Sequence, residues 1–170
     1  MSSSTERFSV VISGSGLWTP PHAISNEELV ASYNAYTDRF NTDNAAAIAA
    51  EEVSPLPHSS AAFIEKASGI RSRFVFEKDG ILDIDRMRPS IPERADDELS
   101  HQGEMAVAAA RQALGAAGKQ PSDVDAVIVS CAYTQRAYPA IAIEVQSALG
   151  IEGFGFDMLV ACSAATFCLL

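Results

Sequence analysis

From Pro121 to Thr166 the sequence changes character in a fixed order, and that order restricts the folds open to it. Pro121-Ser122-Asp123 turns the chain into Val124-Asp125-Ala126-Val127-Ile128-Val129-Ser130. This apolar, β-branched run is typical of a strand covered on both faces. A helix is predicted from Pro139 to Leu149, ending at Gly150, the residue type that most readily takes the left-handed conformation after a last helical turn. A second strand, Gly155 to Val160, then runs into Ala161-Cys162-Ser163-Ala164-Ala165-Thr166, a stretch of small residues with helical character. Strand, helix, strand and helix in succession require crossover connections and a layered α/β sheet.

The upstream half carries clearer stops than starts. Phe8 to Ser13 reads as a short strand closed by Gly14-Ser15-Gly16. Ser25-Asn26-Glu27-Glu28 is a helix-start signal leading into Leu29, Val30 and Tyr33. Residues 37–60 are ambiguous between helix and loop, with Pro55 and Pro57 ending whatever precedes them. A short helix is predicted from Ser60 to Ala67, stopped by Ser68-Gly69, and Ile70 to Phe76 alternates as a half-exposed strand does. Residues 77–99 are polar and proline-containing and read as a long excursion, of the kind that serves as a lid or interaction surface. Met105 to Ala117 is an alanine-rich helix suited to close packing on a sheet, with Gly118 in the stop position.

Composition narrows the function classes. A length of 170 residues, 48% hydrophobic, is enough for one core without disulfide or metal staples. A net charge of −10 argues against nucleic acid or an anionic membrane surface as partner, since phosphates are held by exposed Lys and Arg. No apolar run reaches membrane-spanning length. Met1 to Arg7 has neither the basic flank nor the apolar stretch of a signal peptide. With three scattered cysteines, this sets the expectation of a cytoplasmic protein with free thiols. No Cys-x-x-Cys spacing exists, so no metal site is expected.

Cys162 is the residue with chemistry to offer. A thiol near the first turn of a helix meets unpaired N–H groups and a favourable dipole, which stabilise the thiolate needed for acyl transfer. Small neighbours at Ser163, Ala164 and Ala165 leave room for a long substrate. The Cys162 N–H is a candidate oxyanion donor. The other reading is a buried core cysteine, the commonest fate of a free thiol. Cys131 and Cys168 read as core.

Four stretches, in order, resemble one family. Glu65-Lys66-Ala67-Ser68-Gly69-Ile70-Arg71-Ser72-Arg73 resembles a T-G-I-x-x-R element, and Ala126-Val127-Ile128-Val129 the strand before an acyl-pocket loop. Tyr138-Pro139-Ala140 through Glu144-Val145-Gln146-Ser147-Ala148-Leu149-Gly150 resembles F-P-x-x-A-x-x-(I/V)-Q-x-x-L-G. Phe156 to Phe167 resembles a nucleophile segment centred on Cys162. Together they resemble the β-ketoacyl-acyl-carrier-protein synthase III enzymes, thiolase-fold condensing enzymes, in a longer variant group.

The resemblance implies an α/β thiolase-like layered fold, of which residues 1–170 are an incomplete N-terminal half, with the C-terminal half outside this sequence. It implies an acyltransferase of fatty acid or related lipid synthesis, active when that half completes it. Cys162 is acylated by an acyl-CoA primer, and the acyl group then condenses with malonyl-acyl carrier protein by decarboxylative Claisen chemistry, without a cofactor. It implies acyl carrier protein and acyl-CoA as partners and a homodimer. Phe63 aligns with a stacking residue of the CoA-facing helix and Arg71 is a candidate phosphate contact. Tyr138 aligns with an aromatic that lines the acyl tunnel of the other subunit, although ordinary packing at a loop–helix junction is an equal reading. The longer segments 37–58 and 77–99 imply a medium-length primer. The family's His and Asn lie beyond the cysteine; His22, His58 and His101 all precede it and read as surface residues. Two alternatives follow: a non-catalytic half serving as an interface or acyl-binding module, and a non-decarboxylating thiolase-fold acyltransferase.

Overall fold

The computed structural model describes residues 10–169. They form two compact units, Thr19–Glu93, and residues 10–18 together with 94–169.

In the unit Thr19–Glu93, strand β1 (His22–Ser25) leads directly into helix α1 (Asn26–Asp43), followed by α2 (Ala45–Ala49), α3 (Ala61–Ser68), β2 (Ser72–Val75) and the single turn α4 (Asp79–Leu82). Ser25 starts α1 through a reciprocal capping box: its hydroxyl accepts from the Glu28 amide, and the Glu28 carboxylate accepts from the Ser25 amide. Ser60 caps α3, and Gly69 ends it at φ 72°, as the sequence predicts. β1 and β2 pair antiparallel, with Ile24 opposite Arg73. The sequence analysis did not anticipate β1, because its last residue doubles as the helix cap and no alternation marks so short a strand. The excursion 77–99 is no loose lid over its first half. The Ser32 hydroxyl donates to Leu82 O at 2.7 Å, and Arg39 donates to Ile84 O and to the Asp85 carboxylate.

The other unit contains α5 (His101–Ala117), β3 (Ala126–Ser130), α6 (Ile141–Leu149), β4 (Phe154–Met158) and α7 (Ala164–Cys168), with one-turn 3-10 segments at Pro121–Asp123 and Ala161–Ser163. α5 begins earlier than its apolar pattern suggests, because Ser100 caps it by accepting from the Gly103 amide. β3 and β4 run parallel, with Val127 opposite Gly155 and Val129 opposite Asp157, as a strand–helix–strand crossover requires. Val107, Ile141, Val145 and Leu149 form the core, with Val127, Val129 and Cys131 packed against them from the sheet. Gly155 makes the approach of α6 to β4 close: a Cβ there would stand 2.5 Å from Gln146 Oε1 and displace that side chain. The alanines of α5 serve a further close approach, since Gly14 and Gly16 sit against its backbone at Ala113 and Ala109.

Two expectations are corrected here. β3 is covered on one face only. Its residue Ile128 and its neighbours Phe154 and Phe156 on β4 remain exposed, because both packing helices lie on the side of Val127 and Val129. The expected strand Phe8 to Ser13 falls partly outside the described residues, at Phe8 and Ser9. Residues 10–13 are irregular and exposed, with no ladder partner among the described residues.

Candidate active site

β4 ends at Met158, and the chain reverses within a few residues into α7. The reversal is sharp enough to place Ala161 at φ 48°, in the left-handed region. For a residue with a Cβ this costs roughly 1–2 kcal/mol, and such strain clusters where a side chain must be aimed. Cys162 follows immediately, in the 3-10 turn Ala161–Ser163, which is closed by Ser163 N donating to Val160 O at 3.1 Å. The cysteine therefore precedes the helix rather than sitting in its first turn. Cys162 is exposed, whereas Ala164, the first residue of α7, is 1% exposed and anchors the turn.

The other two thiols are placed differently. Cys131 continues the β3 ladder by donating its amide to Met158 O, and it packs against the core. Burial pushes its thiol up from the ordinary range, and the Asp157 carboxylate adds to the effect. Cys168 lies half-buried with Sγ 4.0 Å from the Met158 sulfur. Of the three cysteines only Cys162 offers an open sulfur.

Asp157, five positions ahead of Cys162, was not singled out by the sequence analysis. Its carboxylate accepts from the amides of Ile141 and Ala142, each at 2.8 Å, and so satisfies the N-terminus of α6. The signal was available: Ala140 stands at the N-cap of α6 and has no acceptor of its own, while Asp157 is a lone charge in an apolar strand. One carboxylate thus ties the strand leading to Cys162 to the start of the helix that follows Tyr138. Tyr138 itself is 88% exposed, which corrects the reading of it as ordinary packing at a buried junction; Pro139 and Ala140 supply what burial there is.

Phe63 and Arg71 lie in the unit Thr19–Glu93. Phe63 presents an exposed ring from α3 beside a cavity of about 430 Å³ lined by Tyr33, Pro57, His58 and Ser60. Arg71 is exposed and donates from Nε to Glu65 Oε1 at 2.6 Å. Arg73 turns inward and donates from Nη2 to Asn26 Oδ1 at 3.1 Å. His58 is exposed and paired with Asp38 at 2.7 Å, and His22 is exposed on β1, while His101 is half-buried at the start of α5. A cavity of about 580 Å³ between α5 and β3, walled by Ala113, Ala117, Val127 and Val145, does not include Cys162. Among the described residues no group of three or more His, Cys, Asp or Glu side chains is placed to hold a metal ion, and no helix is long and apolar enough to cross a membrane.

No family model matches the sequence. Individual relatives do. The chain is 60% identical over 136 residues to the β-ketodecanoyl-[acyl-carrier-protein] synthase of Pseudomonas aeruginosa, covering 80% of this chain and 39% of that protein. It is 29% identical over 158 residues to the β-ketoacyl-[acyl-carrier-protein] synthase III of Granulibacter bethesdensis, covering 92% of this chain and 35% of that protein. The chain thus spans well under half the length of these curated relatives. In fold it is similar to 3-oxoacyl-(acyl carrier protein) synthase III, FabH, of Pseudomonas aeruginosa, with a TM-score of 0.60 at 24% identity over 94% of this chain and 35% of that one. It is also similar to OleA of Xanthomonas campestris, with a TM-score of 0.61 at 19% identity over 93% of this chain and 37% of that one. The sequence matches and the shared thiolase-like fold lead to one conclusion: over most of its length the chain is similar to part of the β-ketoacyl-acyl-carrier-protein synthase III enzymes.

Proposed function

We propose that this chain supplies the acyl-accepting cysteine of an acyl-CoA-primed β-ketoacyl-acyl-carrier-protein synthase III acting in fatty acid or related lipid synthesis. The observation that carries the reading is the exposed Cys162 at the strained turn after β4. In the first stage the Cys162 thiolate attacks the thioester carbonyl of the primer. The new C–S bond forms as the bond to CoA sulfur breaks, and CoA leaves as the thiolate. In the second stage malonyl-acyl carrier protein loses carbon dioxide. The carbanion attacks the acyl-enzyme carbonyl, and Cys162 is released as the thiolate. No cofactor enters either stage. The donors for the developing enolate oxygen, a His and an Asn in the family, are not assigned to any residue of this chain.

The β-ketodecanoyl name of the 60% identical relative refines the substrate. Decarboxylative condensation adds two carbons, so a ten-carbon product calls for an eight-carbon acyl primer, in keeping with the medium-length primer inferred from the longer segments. Tyr138 is assigned to the acyl chain across a homodimer contact, Phe63 to stacking on CoA, and Arg71 to its phosphates. Arg71 serves only by leaving its pairing with Glu65. The protein acts in the cytoplasm.

Incubation of the full natural polypeptide with acyl-CoAs of graded length, followed by intact-mass measurement, tests the reading. An adduct of one acyl group, greatest near eight carbons and absent in Cys162→Ala, is expected. An adduct that survives Cys162→Ala, or none at any length, refutes it.

A further inference from the structure

The segment from Cys131 to Ala140 connects β3 to α6 and leaves Tyr133 and Tyr138 71% and 88% exposed. Connections of this kind are usually mobile, but this one is bonded along its length. The His101 amide donates to Gln135 Oε1 at 2.8 Å, the Gln135 amide to Gln102 Oε1 at 2.6 Å, and Gln102 Nε2 to Tyr133 O at 2.8 Å. Arg136, two residues before Tyr138, holds the segment from beneath. Its Nη1 donates to Asp96 O at 3.1 Å, its Nη2 to Glu98 O at 3.2 Å, and its Nε lies 3.7 Å from Glu144 Oε1 on α6.

Glu144 is the unexpected member. It sits on the most buried helix of the chain with its side chain 6% exposed. Oε2 accepts from the Ser100 amide at 2.8 Å, whereas Oε1 makes no hydrogen bond and lies 3.7 Å from Arg136 Nε. Space for the carboxylate is built in, since a Cβ at Gly103 would stand 2.5 Å from Oε2. A carboxylate is expensive to bury, and an apolar side chain would suit this place on α6 better for stability alone. What the charge adds is a fixed geometry, because the planar guanidinium donates to two carbonyls of the 96–98 stretch while its Nε faces the carboxylate on α6.

We propose that Arg136 and Glu144 are a positioning pair that fixes the Cys131–Ala140 segment so that Tyr138 meets the acyl chain, and thereby sets the accepted primer length. The proposal rests on the functional reading given above. It is tested in the full natural polypeptide with Glu144→Gln, which keeps an acceptor for Ser100 but loses the charge facing Arg136. A second variant, Arg136→Lys, keeps a charge but not the fork, and serves alone if Glu144→Gln does not fold. KM for the eight-carbon acyl-CoA is expected to rise about tenfold, with kcat and the two-carbon primer changed by no more than about twofold. Amide exchange at 131–140 is expected to quicken while α5 and α6 stay protected. The double variant should fall no further than the worse single one. An unchanged length profile, or an equal fall at every length, overturns the proposal. If the unmodified protein takes no acyl group, the functional reading fails, and exchange alone judges the pair: unchanged exchange at 131–140 in both variants overturns it.

Discussion

In the unit that carries Cys162, a contiguous apolar cluster of Val107, Ile141, Val145 and Leu149 holds two helices against a parallel strand pair. In the unit Thr19–Glu93, Ile24 is the one fully buried apolar residue among the described residues, and side-chain amides and carboxylates hold the chain together. Asn34 donates to Ser59 O and accepts from the Ser59 amide, and Asn41 does the same with Leu56. The two asparagines lie about two turns apart on one face of α1, so they grip the irregular segment 54–60 like a pair of backbone rungs. The difference teaches that the first unit derives its order from burial and the second from polar pairing. Each should therefore fail under a different insult.

Truncation of the core is the largest expected effect. Ile141 is 1% exposed at the start of α6, and Ile141→Ala should cost about 2–5 kcal/mol, measured as a fall in the denaturation midpoint at unchanged m-value. Hydrogen exchange should show the loss concentrated in α5, α6 and β3. A loss below about 1 kcal/mol would mean that the cluster is not what orders this unit. Asn41→Ala comes next. It leaves the Leu56 amide and carbonyl without partners, at a cost of about 1–3 kcal/mol. Limited proteolysis within residues 50–60 should report it while α5 and α6 remain resistant. Equal loosening of both units would break the distinction drawn between them.

The same contrast governs what the sequence discloses. α5, β3, α6 and β4 could be anticipated because burial writes itself as periodicity and β-branching, and helix ends as Ser and Gly. The strand-to-small-residue setting singled out Cys162 but left a buried core thiol as the other reading, and only the resemblance favoured the reactive one. The polar grips could not: Asn34 and Asn41 find partners far along the chain, and nothing local marks Ser59 or Leu56 as those partners. Glu144 was hidden for the same reason, since its bond reaches another element. The open face of β3 was misjudged because a β-branched run shows that a strand is apolar, not how many of its faces are covered.

Acid is the mildest test and separates the two modes of order most cleanly. Glu28 is held below its ordinary value of 4.5 chiefly by the Lys78 ammonium, 2.5 Å away, and then by the Ser25 amide. Glu77 is held below the same value by the amides of Gly80 and Ser90, at 2.7 and 2.8 Å. A carboxyl whose folded pKa is depressed stabilises the fold fully above its unfolded value, and that stabilisation disappears as pH falls through the folded pKa. Both groups are open to solvent, so each contribution is small. They nonetheless converge on one segment, since Lys78 and Glu77 are adjacent and anchor residues 77–90 to α1 and to each other. Amide exchange at residues 77–90, normalised for the intrinsic rate, should therefore rise as pH falls below about 4.5. Strand β3 carries no ionisable side chain and should keep its protection over that range. Glu77→Gln should weaken the grip on Gly80 and Ser90 and flatten the acid response of this segment. A response of the same size in β3 would show that the two units share one source of order after all.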